Sequence, residues 1–167
     1  TDEGIHVMTK RCNLLTRIMI NDCASLTDQS VASIVANCPG LKELSLSRSE
    51  FGVVPSPFGD FSLKHLEHAN ALRHLHLCFC SQITLQPLID FLRVSPVVLI
   101  DIYRTNFTVE DLHKIVEIRP NLFVRRIPGN YFIFPRALRD VLDEAATGQS
   151  SQTRPTHWPF FNPVDNE

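Results

Sequence analysis

The sequence predicts an α/β solenoid that turns right-handed, with a concave parallel β-sheet and convex helices, and three observations predict it. First, a pattern of three apolar residues with two and then one residue between them recurs along the chain. Its copies are Leu15-Ile18-Ile20, Leu41-Leu44-Leu46, Leu72-Leu75-Leu77, Val97-Ile100-Ile102 and a decayed Leu122-Arg125-Ile127, with first residues 26, 31, 25 and 25 positions apart. Second, apolar residues at i, i+3 and i+4, which mark one helix face, interleave with it. They stand at Val31-Ile34-Val35, Leu88-Phe91-Leu92, Leu112-Ile115-Val116 and Leu138-Val141-Leu142, with a weaker copy at Leu63-Leu66. Third, each helix pattern begins nine or ten residues before the next strand pattern, so the two series are locked in phase. One strand–turn–helix–turn unit cannot bury its own apolar face, whereas stacked units enclose a continuous core between a sheet and a row of helices. Parallel strands joined by helical crossovers connect right-handed. A doubly wound sheet is the rival architecture, but its crossovers are less regular and its sequence does not repeat.

The elements follow in order. Shifted by 26 positions, Thr1-Asp2 falls on Thr27-Asp28, Ile5 on Val31, Met8 on Ile34, Cys12 on Cys38 and Leu15 on Leu41. The chain is therefore expected to open on a helix inside a repeat, as a piece of a longer protein would. Thr27-Asp28, Asp60, Thr84 and Thr108 precede the later helix patterns and are expected to cap their free backbone N–H groups. Pro87 and Pro135 suit a first helical turn, and Asn37-Cys38-Pro39-Gly40, Ser95-Pro96 and Arg119-Pro120-Asn121 suit helix ends. The second repeat is longer by five or six residues, and the excess lies in residues 50–60. Its Phe51, Val53, Val54 and Phe58 are expected to tuck under the solenoid edge, or else to meet a partner. In the fifth repeat Arg125 falls on a core place and Arg126 on the concave face. The repeats thus span residues 1–145, about five of them, and residues 146–167 form a polar, proline-rich tail. Its aromatic cluster at 157–161, around Trp158, is expected to fold back onto an apolar surface.

Composition excludes several function classes. The net charge of −2 gives no basic footprint for nucleic acid or an anionic membrane. The longest apolar run is the four residues 97–100, against the roughly 18 a membrane span needs. Neither nucleic acid nor a membrane is an expected partner. Five cysteines, an odd number, point to a reducing compartment, cytoplasmic or nuclear, over a disulfide framework.

Catalytic parts are scarce. His74, His76 and Cys78 alternate along one strand and share its concave face, as ligands of zinc or copper would. Neighbours at i and i+2 stand about 6.6–6.8 Å apart along a strand, so only two of the three would readily share an ion. Cys78 with His76 would be the nucleophile pair, yet no oxyanion hole or orienting third group accompanies it. No glycine-rich phosphate loop is present. The expectation is a chain with no catalytic residue, no cofactor and no metal, with a metal- or thiol-dependent site at His74, His76 and Cys78 as an alternative.

A binding surface remains. Counting each strand unit from its first apolar residue, the third, fifth, seventh and eighth places face outward. The fifth places are Met19, Ser45, His76, Asp101 and Arg126; the seventh include Cys78 and Tyr103, and the eighth include Phe79 and Arg104. Aromatics and arginine are enriched where interfaces concentrate their binding energy. The candidate protein-binding residues are Met19, His76, Cys78, Phe79, Asp101, Tyr103, Arg104 and Arg126.

The run from Leu15 through Cys23 and Thr27-Asp28 to Asn37-Cys38-Pro39-Gly40-Leu41 resembles the cysteine-containing class of leucine-rich repeats. Leu72 through Thr84, with Cys80, is similar, whereas Ser49 and Thr105 stand where that class usually has cysteine. The resemblance covers about residues 1–122. It is to the repeats of F-box/leucine-rich-repeat proteins and of related cell-cycle regulators that lack an F-box. It implies the substrate-recognition repeats of an F-box-type subunit of a cullin ubiquitin ligase, holding a protein substrate or regulator. The ligase adaptor would dock on an F-box upstream, not present in this chain. A leucine-rich-repeat scaffold or inhibitor without an F-box is the alternative. In such repeats Cys23 and Cys80 turn inward as small buried thiols, and Cys12 and Cys38 end helices. Cys78 alone is then expected outside the core.

Overall fold

The computed structural model describes residues 1–48 and 56–125. Over these the chain forms helices α1 (Asp2–Arg11), α2 (Asp28–Asn37), α3 (Asp60–Leu66), α4 (Leu85–Val94) and α5 (Val109–Ile118). Between them run strands β1 (Arg17–Met19), β2 (Glu43–Ser45), β3 (His74–His76), β4 (Leu99–Asp101) and β5 (Phe123–Arg125). All strands are parallel and lie side by side in chain order. Each helix packs against the next. This is a leucine-rich-repeat-like solenoid, as the two interlocked periods predicted.

The core lies where the periods meet. Ile18, Leu44, Leu75, Ile100 and Val124 are the middle residues of the strands and stand in one register across the sheet. All five are buried, with the helix residues Ile34, Leu63, Phe91, Leu92 and Ile115 behind them. Because strand side chains alternate, burying the middle residue turns its two flanking residues to the concave face.

The caps differ from expectation at α3 and α4. Thr27 and Thr108 cap α2 and α5 through their hydroxyls, but α3 is capped by Gly59, and Asp60 is its first helical residue. There the Asp60 carboxylate accepts from the backbone N–H and the hydroxyl of Thr84, each at 2.8 Å, so Thr84 is bound by its neighbour's acid and makes no side-chain cap bond to its own helix. Asp2 accepts from Thr27 in the same way, at 2.9 and 2.8 Å, and Asp28 accepts from the hydroxyl of Ser62. An acid at the positive end of α1, α2 and α3 therefore also stitches that helix to the next repeat.

The fifth strand corrects a second expectation. Val124 pairs with Ile100 and Arg125 with Asp101, so Val124 fills the core place and Arg125 the fifth, outward place. The spacing after Leu122 is one residue shorter than the repeat pattern implies. A one-residue slip exchanges the faces of a strand, and this one keeps an arginine out of an apolar core, where its charge would be costly. Arg126 lies outside the described residues, as do Phe51, Val53, Val54, Pro135, the predicted helix around Leu138 and the tail with Trp158. Phe58, the described apolar residue of the long insertion, is buried, and the adjoining Ser56 hydroxyl donates to Cys80 Sγ at 3.4 Å. That part of the insertion tucks in.

Candidate functional site

The outward residues of the strands meet in a row of polar and charged side chains. Arg17 on β1 pairs with Glu43 on β2, Nε to Oε2, at 2.8 Å. His76 on β3 lies between two carboxylates, its Nε2 3.7 Å from Glu43 and its Nδ1 3.6 Å from Asp101 on β4. Arg125 on β5 closes the row, its Nε donating to Asp101 Oδ2 at 2.7 Å. Every strand supplies one member.

Asp101 was expected to face a partner, but its side chain is only 1% exposed. Burial acts to raise its pKa. Hydrogen bonds from His76, Arg125 and Cys78, with the charge of Arg125, outweigh burial and hold the carboxyl well below the usual range. Arg125 correspondingly holds its proton more tightly, the bond to Asp101 outweighing its own desolvation. Asp101 is the anchored floor of the face and presents no contact surface.

Cys78 is half-buried beside it. Burial, then the hydrogen bond to Asp101 and that carboxylate's charge, push its thiol up to about 12. A thiol kept protonated against a carboxylate is a poor nucleophile. Among the described residues, no three His, Cys, Asp or Glu side chains stand close enough to hold a metal ion. The expected cysteine pattern also shifts. Cys38 and Cys80 are buried and Cys23 half-buried, but Cys12 is exposed, more open than Cys78.

The turns after β3 and β4 build the second part of the site. In each, the residue in the ninth place bonds back to the sixth, Cys80 N–H to Leu77 O at 3.1 Å and Thr105 N–H to Ile102 O at 3.3 Å. The third position of each turn is left-handed, as type II turns require, and Phe79 and Arg104 hold it with φ of 61° and 56°. Asp22 does the same after β1 with φ of 57°. Phe79 and the Tyr103 ring meet edge to face, centroids 5.4 Å apart. The Arg104 guanidinium lies 5.5 Å from the centre of that ring, and its Nε–H donates to the Tyr103 hydroxyl at 3.1 Å. Phe79, Tyr103 and Arg104 thus come together as expected, with Arg104 exposed and the rings half-buried.

Between β1 and β3 the face is hollow. Ser45 and Ser47 are small, and a depression of about 300 Å3 opens above them, with Met19 and Asn21 on one side and His76 and Cys78 on the other. The Asn21 side-chain oxygen accepts from the Ser45 hydroxyl at 2.6 Å and from the Ser47 N–H at 3.1 Å. The Cys78 N–H donates to the Ser47 hydroxyl at 3.1 Å. Met19, 61% exposed, stands at the edge of this hollow, away from the aromatic cluster. Sequence reasoning missed Arg17, Glu43 and Arg125. The first two were legible as opposite charges at equivalent places of consecutive repeats; Arg125 was hidden by the shortened fifth repeat.

No known family model matches the chain. In fold it is similar to the C-terminal domain of tropomodulin from Caenorhabditis elegans, at a TM-score of 0.50 and 14% sequence identity, covering 89% of this chain and 99% of that one. At that identity the likeness bears on the fold alone, which is leucine-rich-repeat-like in both. Solenoids of this kind offer extended concave surfaces for binding proteins.

Proposed function

We propose that this chain is a protein-interaction module that holds a partner on its concave face, centred on the turns after β3 and β4. The observation that carries the reading is the cluster of Phe79, Tyr103 and Arg104. A non-glycine residue at positive φ costs roughly 1–3 kcal/mol, and asparagine or glycine would close either turn more cheaply. Two large side chains of the kinds that anchor interfaces occupy these places instead, ordered against Tyr103. The parent is in this reading an F-box-type substrate-recognition subunit of a cullin ubiquitin ligase, working in the cytoplasm or nucleus, without catalytic residues or cofactor of its own. The support for that finer statement is the resemblance of the cysteine-containing repeats around Cys23 and Cys80.

Two measurements test it. Tyr103→Ala and Arg104→Ala are expected to weaken binding of a partner captured by the full-length parent by roughly 1–3 kcal/mol, with thermal unfolding unchanged. Normal binding by both variants, with loss on deleting residues 50–55 or the Trp158 tail, would move the site to the rim or the tail. Co-purification of the parent with a cullin adaptor tests the ligase role. Its absence would leave a scaffold or inhibitor using the same face.

A further inference from the structure

We infer that the rim where helices end and strands begin, over the first three repeats, docks an acidic segment of a second polypeptide, with apolar residues among its glutamates or aspartates. This rim lies at the opposite ends of the strands from Phe79, Tyr103 and Arg104, so the inference goes beyond the reading above.

Placement comes first. Lys10 and Arg11 end α1, Lys42 leads into β2 and Arg73 into β3. The backbone sets the last two side by side: the Lys42 N–H donates to Thr16 O and the Arg73 N–H to Lys42 O, each at 2.8 Å. Neighbouring parallel strands stand about 4.8 Å apart, so two cations hold adjacent, equivalent places. Lys10, Arg11, Lys42 and Arg73 are all exposed.

Their charge is uncompensated. Among the described residues, Lys10, Arg11 and Lys42 make no ion pair. The Arg73 guanidinium donates to the carbonyls of Asn70 and Leu72, at 3.4 and 3.1 Å, which orient it without neutralising it. Of the carboxylates on this side, Glu43 is taken by Arg17, which leaves Glu67, the last cap of α3, against these cations. The other rim is the reverse, since Asp2, Asp28 and Asp60 are each bound to a hydroxyl of the next repeat. A helix dipole favours bases in a last helical turn, which accounts for Lys10 and Arg11. It does not account for Lys42 and Arg73, which lie past the helix ends. Like charges at facing places of neighbouring strands repel, and carboxylates laid over Lys42 and Arg73 relieve that repulsion.

The kind of anion follows from what stands among the cations. Leu14, in the turn between Arg11 and Arg17, is 89% exposed and offers an aliphatic contact. Single-stranded nucleic acid stacks its bases on aromatic side chains, whereas Leu14 suits an apolar side chain of a peptide. The cations are strung over three repeats, as successive carboxylates of an extended chain require, and do not converge on one point as around a single phosphate.

The test is a titration of the whole chain with a fluorescent peptide of alternating glutamate and leucine, read by anisotropy and by amide shifts of the isotope-labelled chain. A peptide with glutamine for glutamate and an oligothymidylate are the controls. Saturable binding is expected with the acidic peptide alone, with shifts at the Leu14, Lys42 and Arg73 amides. Lys42→Gln combined with Arg73→Gln is expected to weaken it about fivefold or more, and Leu14→Ser about threefold. Tyr103→Ala is expected to leave this affinity unchanged, which separates the rim from the turns after β3 and β4. Thermal unfolding reports whether the double variant keeps the fold; if it does not, Lys42→Gln decides alone. The absence of saturable binding, equal binding of the glutamine peptide, or an unaltered affinity in the Lys42 variant overturns the inference. So does oligothymidylate binding as tightly, which would make the rim a nucleic-acid surface. Binding gained only on removing residues 146–167 overturns it too, by giving the rim to the chain's own tail.

Discussion

Asp101 joins the stability of the sheet to its concave face. Its carboxylate is buried, held by Arg125 from the next strand, and approached by His76 and Cys78 from the previous one. Removing one partner of a buried pair leaves an uncompensated charge, at a cost of about 3–5 kcal/mol. Arg125 is 32% exposed, which puts Arg125→Ala at the low end, near 3 kcal/mol at neutral pH. The sign with pH follows from Asp101. Its folded pKa is lowered from 3.8, so its contribution is complete above that value and fades as pH falls below it, towards the folded pKa. Urea unfolding of both proteins is expected to show the full difference at pH 6–7 and a smaller one at pH 3. A gap that widened in acid would mean that Asp101 is not the group Arg125 holds. The row containing this pair was only half legible in the sequence. Asp101 stood in an outward place by the period of two, but its burial depends on Arg125, which the pattern put in the core.

At the scale of elements, the repeats are tied together on the helix side by acids at the first helical position. Asp60 satisfies both the backbone N–H and the hydroxyl of Thr84, the cap residue of the following helix. Losing a cap interaction costs typically about 1 kcal/mol. Asp60→Ala is expected to destabilise by that amount and to speed hydrogen exchange at the Thr84 amide, while Asp60→Asn, which keeps an acceptor, recovers part of it. Unchanged exchange at Thr84 would show that the stitch carries no stability. The sequence marked Asp60 as a helix-start residue. It did not show that the bond runs to the next repeat, because the cap rule is local and this contact spans 24 positions.

At the scale of the molecule, stability is a sum of repeats and of the interfaces between them. Leu75 is fully buried at the centre, in register with Leu44 on one side and Ile100 on the other. Cutting it to alanine removes contacts with both neighbours, and roughly 3–5 kcal/mol is expected. The repeats on either side should then lose coupling, so that denaturant unfolding of Leu75→Ala is broader than that of the parent chain. Val124 has a described neighbour strand on one side, and Val124→Ala is expected to cost less. Equal losses and equally sharp transitions would mean that the described repeats unfold as one unit, without separable interfaces.

The sequence by itself determined the architecture. Two periods, one of strands and one of helix faces, repeat at one spacing, and apolar burial admits few folds that satisfy both. It also picked out Phe79, Tyr103 and Arg104, since a regular repeat puts equivalent places side by side. Tertiary structure alone decided what happens where the repeat is irregular or where residues far apart meet. The one-residue shortening before β5 moved Arg125 from the core to the face, because burying Val124 is favourable and burying an unpaired guanidinium is not. That shift closed the charged row on Asp101. The hollow over Ser45 and Ser47, likewise, is set by the size of their neighbours on two other strands, which no single repeat contains.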